Sequence, residues 1–230
     1  MDIRLVTWKI TGIKPLIQSN PHGMWKPPEV DDGELKKTGR KKSLRSSNSE
    51  DFQAAKGQLY INEDGAHYHP AIAFWQGLLM ACDGRKLGTP SALSVITQAV
   101  ALIEEEFILY DPATLDGKNP QLLKGDEWQI DYRRAVNHNK DAANGGVCVV
   151  AIRPKFKRWG GLLTLEVDAD FFTRKVGGEE VFDAEGLTGL LNVAGHYYGA
   201  GVGRMRVKAM VKQKPVWSGF GSGKYSAELK

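Results

Sequence analysis

Cysteine is scarce in this 230-residue chain, since Cys82 and Cys148 are the only two. Two cysteines are too few for a disulfide framework or a cysteine-based metal site. Free cysteine is among the most buried residue types, so we expect two buried thiols in a reducing compartment. The opening residues MDIRLVTWKI also lack the apolar core of a secretion signal. Both absences favour a cytoplasmic protein.

Long apolar runs are missing as well. The longest nearly uncharged stretch, residues 87–103, is interrupted by Pro90 and by several polar residues. A membrane-spanning helix needs about 18 or more apolar residues, so we expect no membrane span. With 42% hydrophobic and 25% charged residues, the composition is that of an ordinary globular protein.

Familiar catalytic and nucleotide-binding signatures are absent too. Residues 199–204 depart from G-x-G-x-x-G because Arg204 stands at the last glycine position, and no nucleophile motif accompanies the histidines. His67 and His69 would share one face of a strand, but no third metal ligand at a suitable spacing is evident. We interpret them as a half-exposed hairpin. The sequence therefore predicts no catalytic residue, no metal and no cofactor.

The order of the patterned segments predicts one α+β domain over residues 1–230. Predicted strands cover residues 2–13, 58–61, 66–69, 107–110, 128–136, 147–153, 162–167, 204–212 and 217–227. Predicted helices cover residues 70–82, 90–106 and 183–194, with Ile72, Trp75, Leu78, Leu79 and Cys82 on the inner face of the first. Residues 25–57 show neither the two-residue alternation of a strand nor the 3.6-residue period of a helix. They are predicted to be a mobile basic insertion.

Positive charge is concentrated in two segments. Residues 204–230 carry seven basic side chains and one acid, which leaves a net charge of −2 for residues 1–203 in a chain of net +4. The second cluster includes Lys37, Arg40, Lys41, Lys42 and Arg45. Basic segments on a nearly neutral body favour a polyanionic partner, although solvated surface charge is the simpler alternative.

Two further segments mix cations with residues that suit nucleic acid. RPKFKRW offers four cations, Arg153, Lys155, Lys157 and Arg158, which could contact phosphates, and two aromatic rings, Phe156 and Trp159, which could stack on bases. The competing interpretation is that both rings anchor a loop to the core. Backbone N–H groups at Gly199, Gly201 and Gly203 could cradle an anion beside Arg204, Arg206 and Lys208, or the glycines could form a tight helix-to-strand connection.

Several of these landmarks resemble the RAMP superfamily, the RRM-like proteins of CRISPR systems. The stretch QLYINEDGAHYHPAIAFWQGLLMACDG is similar to the hairpin–proline–helix element of that superfamily, with the matching positions Tyr60, Glu63, Asp64, Gly65, Pro70, Gly77, Leu78 and Ala81. AGHYYGAGVGRMR resembles its glycine-rich loop, and the closest likeness is to the backbone subunit of CRISPR effector complexes and its phage- or plasmid-encoded relatives. The resemblance implies a ferredoxin-like sheet with a large insertion, RNA or single-stranded nucleic acid as partner, and head-to-tail oligomers.

Together these features predict a non-catalytic nucleic-acid-binding protein of a prokaryotic cell or its phage, contacting the backbone of single-stranded RNA or DNA. Two alternatives stay open. One is a metal-independent endoribonuclease that uses His22 or His138 as base. The other is a protein-binding viral factor that mimics or blocks a host nucleoprotein complex.

Overall fold

Two four-stranded antiparallel sheets organise the part of the chain that the computed structural model describes, residues 2–20, 49–137, 147–200 and 221–230. The first sheet has the order β12 (Tyr225–Leu229), β1 (Ile3–Gly12), β8 (Gly160–Asp168) and β4 (Val100–Leu102). The second has the order β11 (Gly221–Ser222), β2 (Leu16–Gln18), β7 (Val147–Phe156) and β6 (Gln129–Asn137). The fold is therefore mixed α+β with antiparallel sheets.

Helices cover one face of each sheet. They are α1 (Ser49–Lys56), α2 (Ile72–Ala81), α3 (Ala92–Ala99) and α4 (Glu185–Val193). Alternation along β1 turns Trp8 inward, where its indole N–H donates to the Thr188 hydroxyl of α4 over 2.8 Å. On the second sheet, Phe52 of α1 stacks on Trp128 with ring centroids 4.9 Å apart. In the described ranges no helix is long and apolar enough to cross a membrane.

Two short ribbons complete the described structure. Strand β3 (Tyr68–Pro70) pairs with β5 (Glu106–Ile108), and β9 (Thr173–Val176) pairs with β10 (Glu179–Phe182). The turn of the second ribbon is Gly177-Gly178, whose φ angles of 63° and 97° lie in the region that favours glycine.

Most predicted elements are present, and the differences have physical reasons. The helix predicted over residues 90–106 ends at Ala99, because Val100 pairs with Val167 as the first residue of an edge strand. The inner face of α2 is rotated from the predicted one: Ile72 is exposed, while Phe74 is buried against Trp159 and Tyr225. Residues 49–56 of the predicted irregular insertion are helical; residues 21–48 and the predicted strand 204–212 lie outside the described residues.

The buried tyrosine of β12 yields the first testable prediction. Tyr225 is fully buried and its hydroxyl has no hydrogen-bond partner among the described residues, whereas the Tyr60 hydroxyl donates to Ser19 O over 3.2 Å. Tyr225→Phe should leave the free energy of unfolding unchanged or raise it by up to about 1 kcal/mol, because no bond is lost. Tyr60→Phe should lower it by about 1 kcal/mol. Urea unfolding measures both; a Tyr225→Phe loss as large as that of Tyr60→Phe would contradict the assignment.

Candidate functional site

Three neighbouring strands pass from the second sheet into the first at one place. Strand β2 follows β1 after residues 13–15, β8 follows β7 after residues 157–159, and β12 follows β11 after residues 223–224. We call these three segments the crossings. Because adjacent strands lie about 4.8 Å apart, the three crossings fall within roughly 10 Å of one another.

A single buried indole holds the crossings together. Trp159 donates from Nε1 to Lys14 O over 2.9 Å, and its own carbonyl accepts from Gly12 N over 2.8 Å. The first and third crossings approach the ring closely: a Cβ at Gly12 would lie 2.3 Å from Nε1, and one at Gly223 would lie 3.1 Å from ring atom Cζ2. Glycine at these two positions therefore makes the approach possible.

Each crossing carries at least one cation. Lys14 belongs to the first, Lys157 and Arg158 to the second, and Lys224 to the third. The Lys224 carbonyl accepts from Ile13 N over 2.7 Å and from Lys14 N over 3.1 Å, which fixes the backbones of these two lysines side by side. We call Lys14, Lys157, Arg158 and Lys224 the crossing patch.

The charges of the crossing patch are largely unneutralised. Lys14 and Lys157 are exposed and Lys224 is half-buried. Arg158, with 70% of its side chain exposed, faces Asp111 at 3.4 Å. Among the described residues, this is the one ion pair that the patch makes. An exposed pair of that length contributes at most about 1 kcal/mol, so Arg158 remains available to an anion.

A groove of about 340 Å³ adjoins the crossing patch. Lys155, Lys157 and Arg158 line one side of it, and the carboxylates of Asp111, Asp126 and Glu127 line it as well. Lys155 also faces Asp131 at 3.6 Å. Three cations and three carboxylates line the groove, so the groove itself is nearly neutral, and Lys14 and Lys224, which lie outside it, leave the crossings with a net positive charge that attracts an anion.

The predicted stacking role of Phe156 and Trp159 is wrong for this conformation, because both rings are fully buried in the core. Phe156 packs edge-on to His67, and Trp159 packs among Phe74, Phe107 and Tyr225. No ring face is left for a base. The alternative interpretation, in which both rings anchor the segment, describes their position.

Gly199 also differs from its prediction. Its N–H donates to Ala194 O over 2.8 Å and is therefore not free to bind an anion. Its φ of 72° and the approach of Gly223 O, 2.2 Å from where a Cβ would lie, belong to a tight connection after α4. That is the alternative the sequence left open.

The other predicted contacts divide into two groups. Arg153 lies on β7, half-buried and opposite Asp131, away from the crossings. The remaining predicted residues lie outside the described residues: His22, Lys37, Arg40, Lys41, Lys42, Arg45, His138, Gly201, Gly203, Arg204, Arg206 and Lys208.

The histidine pair of the predicted hairpin is fully buried rather than half-exposed. His67 Nε2 lies 2.8 Å from Gly125 O, whereas neither ring nitrogen of His69 has a hydrogen-bond partner in the part of the chain that the structure describes. Burial lowers the pKa of His69 to about 4. Within the described ranges, no three His, Cys, Asp or Glu side chains are grouped as metal ligands would be.

Comparison with family models, curated proteins and solved structures finds no match to this chain. Function is therefore inferred from the residues of the site. Lys14 and Lys224 were missed by the sequence analysis as members of a site, since each is a single lysine beside a proline or a glycine. The only signal they gave was that glycines lie near both, at positions 12 and 223.

Proposed function

We propose that this protein binds the sugar-phosphate backbone of single-stranded nucleic acid, without catalysing a reaction on it, through the crossing patch. The observation that carries the proposal is that the backbones of three crossings, which together bear four cations, are held around one buried indole. Because hydrogen bonds already fix the backbone of the crossings, binding a ligand orders the cationic side chains but does not also cost backbone entropy. Phosphate oxygens are the ligands that such cations contact in nucleic acids.

The expected binding has little sequence preference. Phosphate contacts position a strand but carry no base information, and stacking on exposed aromatic rings is not offered by Phe156 or Trp159. The carboxylates of the adjoining groove repel phosphates and would keep the strand on the outer side of the crossings. The basic segments 36–45 and 204–214 would extend the contact, and assembly of several copies along one strand belongs to the same proposal.

A ferredoxin-like arrangement of the first sheet is part of the proposal. We number the four strands of this sheet by their order in the chain, so that β1 is 1, β4 is 2, β8 is 3 and β12 is 4. Their spatial order across the sheet is then 4-1-3-2. Helices α1, α2 and α3 lie between the first two strands in the chain, and α4 lies between the last two. This succession supports the ferredoxin-like or RRM-like fold and agrees with the RAMP resemblance.

The direct test removes the two cations of the second crossing. The double variant Lys157→Ala/Arg158→Ala should weaken binding of a fluorescein-labelled 20-nucleotide oligouridine by about tenfold, since two exposed contacts of roughly 0.7 kcal/mol each are lost. The slope of log affinity against log salt should fall by about 1.4, because each contact to a single strand contributes roughly 0.7. Fluorescence anisotropy between 50 and 200 mM salt measures both quantities.

The matched control is Arg85→Ala/Lys86→Ala. These two residues are also adjacent and exposed, but they follow the end of α2 that is farther from Trp159. The control changes the net charge equally and should leave affinity within about twofold of wild type. Equal losses in the two double variants would mean that only net charge matters, and binding that does not change with salt would exclude phosphate contacts.

A further inference from the structure

The outward face of the first sheet forms a second surface, separate from the crossing patch. A groove of about 750 Å³ runs over β1 and β8 and reaches from Lys230 to Tyr110. Residues 106–110 extend the sheet beside β8: Tyr110 and Gly160 exchange two backbone hydrogen bonds of 2.9 and 3.1 Å. Four neighbouring strands make the groove roughly 14 Å wide, which fits four or five residues of extended peptide.

Several apolar side chains are exposed on this face. Leu5, in the middle of the groove, is 67% exposed, and Ile108 and Leu162 are partly exposed beside it. Leu229, which also lines the groove, is exposed as well. Exposed apolar side chains that are contiguous, rather than scattered singly, are typical of a surface that another molecule covers.

The charges on the same face leave a surplus of carboxylate. Arg4 donates from Nε to Asp2 over 2.8 Å, and Lys9 lies 2.9 Å from both Asp116 and Glu228. These two cations are therefore neutralised by the acids of the chain itself. Lys230 remains as a cation at one end of the groove.

Glu104, Glu106 and Glu166 supply the surplus, because none of them forms an ion pair with another described residue. Glu104 and Thr164 both line the groove, and burial raises the pKa of the Glu104 carboxyl. Thr164 in turn pairs with the Thr7 hydroxyl at 3.1 Å. A row of polar groups thus crosses the apolar floor between Leu5 and Leu162.

We infer that this face docks a basic, apolar peptide segment of a partner protein, its aliphatic side chains on Leu5, Leu162 and Ile108 and its cations on Glu104, Glu106 and Glu166. The surplus of carboxylates favours an occupant with positive charge, because phosphates would be repelled there. The inference does not depend on nucleic-acid binding, which uses the oppositely charged crossing patch.

The probe is a fluorescein-labelled heptapeptide of alternating leucine and lysine with blocked ends, measured by anisotropy on the full chain. Glu104→Gln/Glu106→Gln keeps the shape of both side chains and should weaken binding about three- to tenfold, as expected for two partly exposed ion pairs. Leu5→Ser should weaken it at least threefold. The matched control Glu179→Gln/Glu180→Gln neutralises two adjacent exposed acids on β10 and should bind like wild type.

A leucine–glutamate heptapeptide should not bind. Thermal unfolding of each variant establishes that the affinities belong to folded protein. Equal affinity of the wild type and the Glu104→Gln/Glu106→Gln variant overturns the inference, as does equal loss in the β10 control. Concentration-dependent self-association that Leu5→Ser abolishes, without peptide binding, would overturn it in favour of a second copy of this chain.

Discussion

Replacing Trp159 with alanine is expected to lower the free energy of unfolding by about 3–5 kcal/mol, which is the usual cost of truncating a fully buried tryptophan. The ring is fully buried and contacts Phe74, Phe107 and Tyr225, so the cavity would open at the junction of both sheets. The Lys14 carbonyl would also lose its donor. Since the crossings approach this ring, the geometry of the crossing patch depends on it.

A comparison with a second buried indole separates the contribution of Trp159 to core packing from its role in positioning the crossing patch. Trp8→Ala removes another fully buried indole, one that lies in the middle of β1 and donates to Thr188 of α4, away from the crossings. It should also destabilise the protein, but at a concentration of denaturant where both variants are folded it should retain more nucleic-acid affinity than Trp159→Ala. Equal affinities in the two folded variants would show that Trp159 does not position the patch. Urea unfolding and anisotropy provide the two readouts.

Local periodicity was sufficient to predict a helix or strand where one face of the element is buried. Alternation in β1 and the three- and four-residue spacing of Leu187, Leu190 and Leu191 in α4 are visible in the sequence, and both elements are present. It failed at Val100, where apolar spacing continues the helical pattern of α3 while the backbone pairs with Val167. Pairing with a strand more than sixty residues away overrides a local preference, and no window of sequence contains that information.

The candidate site was predictable in part for the same reason. Lys157 and Arg158 stand out because they are adjacent to each other and flanked by aromatic residues, but the pattern does not tell whether the rings or the cations point outward. The structure buries the rings. Lys14 and Lys224 join the patch only through hydrogen bonds between crossings that are about 145 and 65 residues from Trp159 in the chain. Such contacts follow from strand order, which the sequence did not specify.

Acid is expected to destabilise this protein through His69. The ring is fully buried between Tyr60 and Phe74, and neither of its nitrogens completes a hydrogen bond with another described residue. The Ala200 carbonyl lies near the ring without completing a hydrogen bond, so burial dominates and the pKa falls to about 4 from the ordinary 6.5. The fold therefore keeps the neutral imidazole while the unfolded chain binds a proton. The stabilisation is complete above pH 6.5 and is lost as the pH falls towards 4.

The loss between pH 7 and pH 4 should be roughly 3 kcal/mol from His69, since one pKa unit corresponds to about 1.4 kcal/mol. Urea unfolding of His69→Phe should show a fall in the free energy of unfolding between pH 7 and pH 4 that is about 3 kcal/mol smaller than that of the wild type. His67→Phe is the matched comparison: burial lowers the pKa of His67 as well, but its Nε2 keeps Gly125 O as a partner, so its removal should flatten the curve less. If His69→Phe followed the wild-type curve, the imidazole would have to be protonated inside the fold, which requires a partner for its N–H groups that the described residues do not supply.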